Sequence, residues 1–366
     1  MNRKKQPGYV LVFSLMVIAL LVVLATSMMN QSRVHVRYAR TILDREKAKM
    51  LAWSGVQIAM SQLANMGEEE KKDEKKRDQQ KADPKEQAKQ TLITLLPVLN
   101  NWQTFSLTPK KDGVRGEIKI CLMCEEGKID LNQLIDFEKS KFVNEGSKEK
   151  DYKKVMKEVF EKIKKVLGGE DLLKSLEKYL KERKTRFYDP TELLSIEEFK
   201  IFEDKIFYEP GSIVRDDRGQ VKQTVYLNDI FTLWSFQREL NPWLLSNSLK
   251  VLLDLKIKKE DDAQLQDEAL KKTLQKFELN LAFPKGWNDL LAPFYGKKFE
   301  QLPQEIRKTM TTKFEPSVFS VLSYGTVGGV TQKLFVVLER KKSSQTVSSG
   351  KSSTSFEFSA KKFYWL

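Results

Sequence analysis

Apolar positions along the first part of the chain change rhythm once. From Tyr9 to Met29 they run almost without interruption, and no charged side chain occurs among these 21 residues. At about 1.5 Å rise per residue, such a stretch covers roughly 30 Å, the depth of a hydrocarbon core. Backbone groups find no partners in lipid, so a segment lying there must be helical. Beyond it the apolar residues are Val34, Val36, Tyr38, Ile42, Leu43, Met50, Leu51, Trp53, Val56, Ile58, Met60 and Leu63. Spacings of three and four recur among them, as in an amphipathic helix. No proline and only one glycine, Gly55, fall between Gln31 and Leu63. The pattern predicts one helix about 80 Å long, its first half in lipid and its second half laying an apolar stripe on a domain.

After this helix the pattern lapses. Glu68 to Lys89 holds eight acidic and eight basic side chains and almost nothing apolar, so it reads as a solvated loop. Thr91 to Leu99 reads as a short helix broken near Pro97. Trp102 to Leu134 reads as strands, with Val114, Ile118 and Ile120 on one side, Glu125-Glu126-Gly127 as a turn, and KIDLNQL after it. The period then becomes helical. Val155, Val159, Ile163 and Val166 share a face that Gly168-Gly169 ends, and DLLKSLEKYLKERK forms a second helix. Asp189-Pro190 opens a third, TELLSIEEFKIF, with Thr191 as its cap. Glu209-Pro210-Gly211 interrupts the chain, and helices follow near Pro242–Leu255 and Asp261–Phe277. Ser317 to Leu366 reads as strands again, two runs around a glycine-rich turn and then FEFSAKKFYWL.

Composition narrows the function. The 366 residues are 40% hydrophobic and 10% aromatic, which excludes a disordered chain. Net charge is +14, but lysines alternate with glutamates, and no helix-turn-helix signature, RNP-like strand or arginine cluster facing bases is present. The excess reads as a lysine-rich solvated surface with no nucleic acid as partner. Arg3, Lys4 and Lys5 precede the apolar run, placing the N-terminus in the cytoplasm and the body outside, although basic residues from Arg33 to Lys49 oppose that asymmetry. A cleavable signal peptide is the alternative; its apolar core would be shorter, about 7–15 residues, and Ala25-Thr26-Ser27 is only a passable cleavage site.

Enzymatic chemistry finds little support. The one histidine, His35, lies just past the apolar run, and there is no G-x-S-x-G, H-E-x-x-H or glycine-rich phosphate loop. The chain therefore does not read as an enzyme; a membrane-tethered periplasmic enzyme or scaffold protein with an uncleaved signal anchor is the rival reading. Cys121 and Cys124 form a C-x-x-C inside an alternating run. On a strand these positions face opposite sides, and a disulfide across them would be strained. They read as structural thiols, with a periplasmic disulfide as the alternative; zinc would need two further ligands.

An apolar helix continuous with an amphipathic one, then a small antiparallel sheet, resembles the plan of type IV pilin-like proteins. Lys4-Lys5-Gln6-Pro7-Gly8-Tyr9 resembles a prepilin leader, which a prepilin peptidase cuts after glycine, here Gly8, leaving Tyr9 first. The fifth mature position, glutamate in most such proteins, is Phe13. Its absence resembles the K-type minor pseudopilins of type II secretion. Leu43–Ala59, EEGKIDLNQL (Glu125–Leu134), TELLSIEEF, ELNPWLLSNSLKVLL and VGGVTQKLFVVLER with the closing FYWL are similar to segments of that family. Cys124 and Asp130 depart from it, standing where aspartate and asparagine are usual.

The resemblance implies an α+β fold: a type IV pilin-like long N-terminal helix packed on a small antiparallel sheet, with a large inserted helical domain. Its divisions are a leader (1–8), the long helix (9–66, with 9–29 transmembrane), a charged loop (67–90), the first part of the sheet (91–136), the insert (137–300) and the closing strands (301–366). It implies a minor pseudopilin at the tip of a periplasmic fibre, with Gly8 and Tyr9 as processing residues and Phe13 as the tip-assembly position. Tyr9, Val12, Leu15, Ile18, Leu21 and Leu24 would span the membrane. Implied partners are the other minor pseudopilins of the tip, the prepilin peptidase, the inner-membrane secretion platform and membrane lipid. No cofactor is assigned; the resemblance brings in calcium, with Asp216, Asp217 and Asp229 either its oxygen ligands or solvated turn residues.

Overall fold

The apolar run and the amphipathic stretch fold as one element. Helix α1 spans Gly8–Asn65, 58 residues without a break. The computed structural model describes residues 8–65, 84–209, 214–215, 221–222, 224–257, 283–311, 313–314, 316–346 and 352–366. Leader residues 1–7, most of the charged tract, Asp216, Asp217 and the helix expected over Asp261–Phe277 lie outside them.

Only the last part of α1 packs. Ala48, Leu51, Ala52, Val56, Ala59 and Leu63 are buried, and full burial of each large apolar side chain contributes about 1.5–3 kcal/mol. From residue 9 to 43 every described side chain is exposed. The expected stripe therefore divides. Leu51, Val56 and Leu63 enter the core, whereas Val34, Val36, Tyr38, Ile42, Leu43, Met50 and Trp53 stay exposed. Alanines and Gly55, which carry little hydrophobic signal, make the contact instead.

Helix α2, Pro84–Leu95, begins inside the tract expected to be loop and ends before Pro97. Its apolar residues Leu92 and Leu95 are buried and hold it to the body. Five strands follow: β1 (Trp102–Leu107), β2 (Gly116–Cys124), β3 (Val318–Val327), β4 (Val330–Thr346) and β5 (Ser352–Trp365). They form one sheet in the order β1-β2-β3-β4-β5, every pair antiparallel. A register shift between Val337 and Leu338 marks a bulge against β5.

Both faces of the sheet are covered. Ile118, Ile120 and Ser323 meet α1 around Gly55. On the other face the Phe335 ring packs at a tilt against Phe207 and Trp234, at 5.1 and 6.0 Å between centroids. Central strands buried on both sides lose their polar face. Residues 318–325 of β3 are all buried accordingly.

Residues 125–317 leave β2 and return to β3, so the insert is closed by neighbouring strands. Within it α3 (Tyr152–Leu167) buries Val155, Met156, Val159, Phe160 and Ile163, and Asp151 caps it by accepting from the amides of Lys153 and Lys154. Helix α4 (Leu172–Glu182) is capped by Asp171 in the same way. Elsewhere the expected elements are shorter. The third expected helix is two 3-10 turns, Pro190–Ser195 and Glu197–Phe202, and Asp189, not Thr191, caps the first through a box with Glu192. KIDLNQL is extended only at Ile129–Asp130, then turns into a single helical turn that Asp130 caps. The helix expected over Pro242–Leu255 is confined to Asn247–Leu252. The closing region, expected as sheet from residue 301, starts with a helical turn at Gln304–Thr309 and reaches the sheet only at Val318.

Candidate functional site: the bare helix and the mount of the insert

The first half of α1 is a surface rather than a pocket. Gly8 is its first residue. Tyr9 and Phe13, one turn apart, are 79% and 60% exposed, and Val12, Leu15, Ile18, Leu21 and Leu24 lie between 52% and 65%. Among the described residues no side chain of this segment is covered by the body, and the helix is long and apolar enough to cross a membrane. Apolar side chains on soluble surfaces occur singly or in small patches. A segment apolar all round and bare needs lipid or other helices as its surroundings.

Where α1 nears the body its faces separate. On the side away from the sheet, Val36, Leu43 and Met50 recur every seven residues, followed by Trp53, and all are exposed. On the sheet side the row is Arg33, Arg37, Arg40, Asp44, Ala48, Leu51 and Gly55. The contact is close. A Cβ on Gly325 would lie 2.2 Å from the Ala48 carbonyl oxygen, and one on Gly328, whose φ is +57°, would lie 2.3 Å from Asp44 Oδ2. These glycines let α1 rest on the β3–β4 hairpin.

Beneath the other face of the sheet a run of buried charges mounts the insert. Glu125, Glu126, Lys128 and Asp130 occupy the connection leaving β2, all at 2% exposure or less. Lys128 Nζ lies 2.6 Å from Glu125 Oε1, with neither side chain exposed to solvent. Ser320 of β3 accepts from Lys128 at 3.2 Å, and Thr232 of the insert donates to Glu125. Glu126 accepts from the Ser317 and Val318 amides at 2.7 and 3.0 Å and from the Cys124 thiol at 2.9 Å. Asp130 accepts from Ser235 Oγ at 3.1 Å and the Phe236 amide at 2.9 Å. Gly127 has no room for a side chain, since a Cβ would lie 1.7 Å from the Leu244 carbonyl oxygen. Each charge thus ties the end of β2 to the start of β3 or to the insert. The turn expected at Glu125-Glu126-Gly127 is present as a 3-10 turn, but it is buried rather than solvated. Sequence reasoning missed this mount; the signal was two carboxylates and a lysine directly after an apolar strand.

Burial sets the local electrostatics. It pushes the Asp130 carboxyl up to about 6 against four stabilising hydrogen bonds. It also raises the Glu126 carboxyl, opposed by its bonds from Cys124 and Ser317, and that of Asp229, opposed by Lys128 and Ser248. Asp229 is thus no solvated turn residue: it is 1% exposed and accepts from the Ser248 amide at 2.7 Å. Its Oδ1 and the Oδ1 of Asn228 are buried without partners. Asp216 and Asp217, the other two calcium candidates, lie outside the described residues, and among the described residues no group of three His, Cys, Asp or Glu is arranged to hold a metal. Cys121 and Cys124 are free and buried, with burial raising both thiols well above the ordinary range.

No family model matches the chain, and no curated protein sequence matches it. Among solved structures it is similar to a chain in the GspK-GspI-GspJ complex from the Type 2 Secretion System of enterotoxigenic Escherichia coli. That likeness has 13% sequence identity, covers 92% of this chain and 99% of that one, and has a TM-score of 0.39.

Proposed function

We propose that this chain is a pilin-like subunit of a type II secretion fibre, a minor pseudopilin standing at its tip. The observation that carries the reading is the division of α1. One 58-residue helix holds a sheet with its C-terminal part and leaves residues 9–43 uncovered. In the membrane, lipid covers the apolar run. In a fibre, neighbouring helices take its place, and the stripe of Val36, Leu43, Met50 and Trp53 extends that contact beyond the bilayer. The partners on this reading are other minor pseudopilins, with the secretion platform of the inner membrane and a prepilin peptidase acting before assembly. The body lies in the periplasm and the leader in the cytoplasm.

Phe13 supports the tip position. A carboxylate there would be buried in lipid or fibre, at a cost of about 2.5–3.5 kcal/mol at mid-membrane unless a neighbour paired it. Phenylalanine needs no such partner ahead of it. The insert adds bulk on the side of the sheet opposite α1, which blocks addition of further subunits beyond the tip. Phe13→Glu tests this in cells: tip-complex recovery by co-purification and secretion are both expected to fall. Full assembly and full secretion by the variant would remove the basis for a tip role.

A further inference from the structure

Between the apolar run and the first contact with the sheet lies a bare stalk, residues 30–43. It carries Arg33, Arg37 and Arg40 and no acidic side chain. All three arginines are exposed, and among the described residues none forms an ion pair. Their spacing of four and three sets them on one face of the helix. That face is continuous with the row that meets the sheet, and it borders the apolar stripe, since Arg33 and Arg40 lie three and four residues from Val36.

We propose that this arginine row binds the phosphates of anionic membrane lipids and fixes the depth at which the stalk leaves the bilayer. The proposal rests on reading α1 as a membrane anchor. Measured from Met29, the arginines lie about 6–17 Å further along the axis. The headgroup layer reaches roughly 5–8 Å past the hydrocarbon core, and long basic side chains extend back toward it. A guanidinium presents a planar fork of donors that matches phosphate oxygens in pairs. The head does not compete for this role. Its first contact with the stalk among the described residues, at Asp44, lies about 22 Å beyond Met29 and so about 14–17 Å past the headgroup layer, beyond the screening length of about 8–10 Å. Basic side chains at the depth of that contact or beyond it are therefore screened from the bilayer, while the arginine row lies within about one screening length of the headgroups. Leaving the membrane for a fibre then requires surrendering these phosphates, so the row holds the subunit in the bilayer until other contacts replace them.

The test uses the full chain reconstituted into vesicles of phosphatidylcholine, with and without phosphatidylglycerol. Headgroup spin labels on each lipid report which one the protein retains in its boundary shell. At low salt the wild type is expected to prefer phosphatidylglycerol, each arginine contributing on the order of fivefold at the surface. Preference is markedly reduced in the triple variant Arg33→Gln, Arg37→Gln, Arg40→Gln, leaving what the leader's Arg3, Lys4 and Lys5 contribute, and falls toward parity in the wild type at high salt. A control triple on α4, Lys174→Gln, Lys178→Gln and Lys181→Gln, keeps the wild-type preference. Undiminished preference in the arginine triple, its loss in the lysine triple, or no preference in a wild type that floats with the vesicles each overturns the proposal. A chain that fails to float with either vesicle overturns the anchor reading and the proposal together.

Discussion

Replacing Gly55 by alanine measures how tightly α1 lies on the sheet. A Cβ at this position would sit 2.1 Å from Ser323 Oγ and 2.8 and 2.9 Å from the Cγ2 atoms of Ile120 and Ile118. Two effects oppose each other. Alanine favours a helix over glycine by about 0.8–1.0 kcal/mol. Overpacking a filled core costs about 1–3 kcal/mol. The second wins here, because two of the obstructing atoms belong to β-branched side chains with little rotamer freedom. The net expectation is a loss of about 1–2 kcal/mol. Ser323 allows a sharper test. Its Oγ is buried and has no hydrogen-bond partner, so Ser323→Ala is expected to be neutral or stabilising. In the double variant the nearest obstacle is gone, and a coupling of about 1 kcal/mol is expected. Urea unfolding of the full chain in detergent, followed by the fluorescence of its six tryptophans, gives each corner of the cycle, with midpoints compared at constant slope. If Gly55→Ala were as stable as the wild type, or the coupling were zero, the close approach would be wrong.

Three further expectations concern the mount of the insert and the thiols. Lys128→Met leaves Glu125 buried and unpaired and should cost about 3–5 kcal/mol, much of it recovered when Glu125→Gln is added, as read from urea midpoints. The folded-state pKa of Asp130 is about 6, above its ordinary value of 3.8. Its contribution is therefore full below pH about 4 and is lost as pH rises to about 6; Asp130→Asn should flatten that segment of the stability profile, and an unchanged slope would contradict the assignment. Cys121 and Cys124 should resist alkylation in the native chain and both react after denaturation, as counted by intact mass; a disulfide would leave neither to react.

The long helix was the most legible element, because an uninterrupted apolar run and then a three-four period need only local sequence. What could not be read was which apolar residues of its second half would be covered. Leu43 and Met50 look as suited to a core as Leu51, but the sheet meets the face carrying Ala48, Ala52 and Gly55. Small residues permit the approach and leave no hydrophobic signal. The hairpin around Gly328-Gly329 was legible from its turn and its flanking runs. The 3-10 turns after Asp189 were read as helix because their apolar spacing fits both. Glu125-Glu126-Gly127 read as a turn and Lys128 as the start of a strand, with no sign of their burial, since composition cannot tell a paired buried charge from an exposed one. Thr232, Ser317 and Ser320, which complete that mount, lie far away in sequence and carry no local mark.

Mass analysis of the chain purified from the membrane of its own cells tests the central claim most directly. The account predicts a mature N-terminus at Tyr9, methylated on its amine, with Tyr9 to Met29 retained. A chain beginning near Met28, with the apolar run removed, would contradict it.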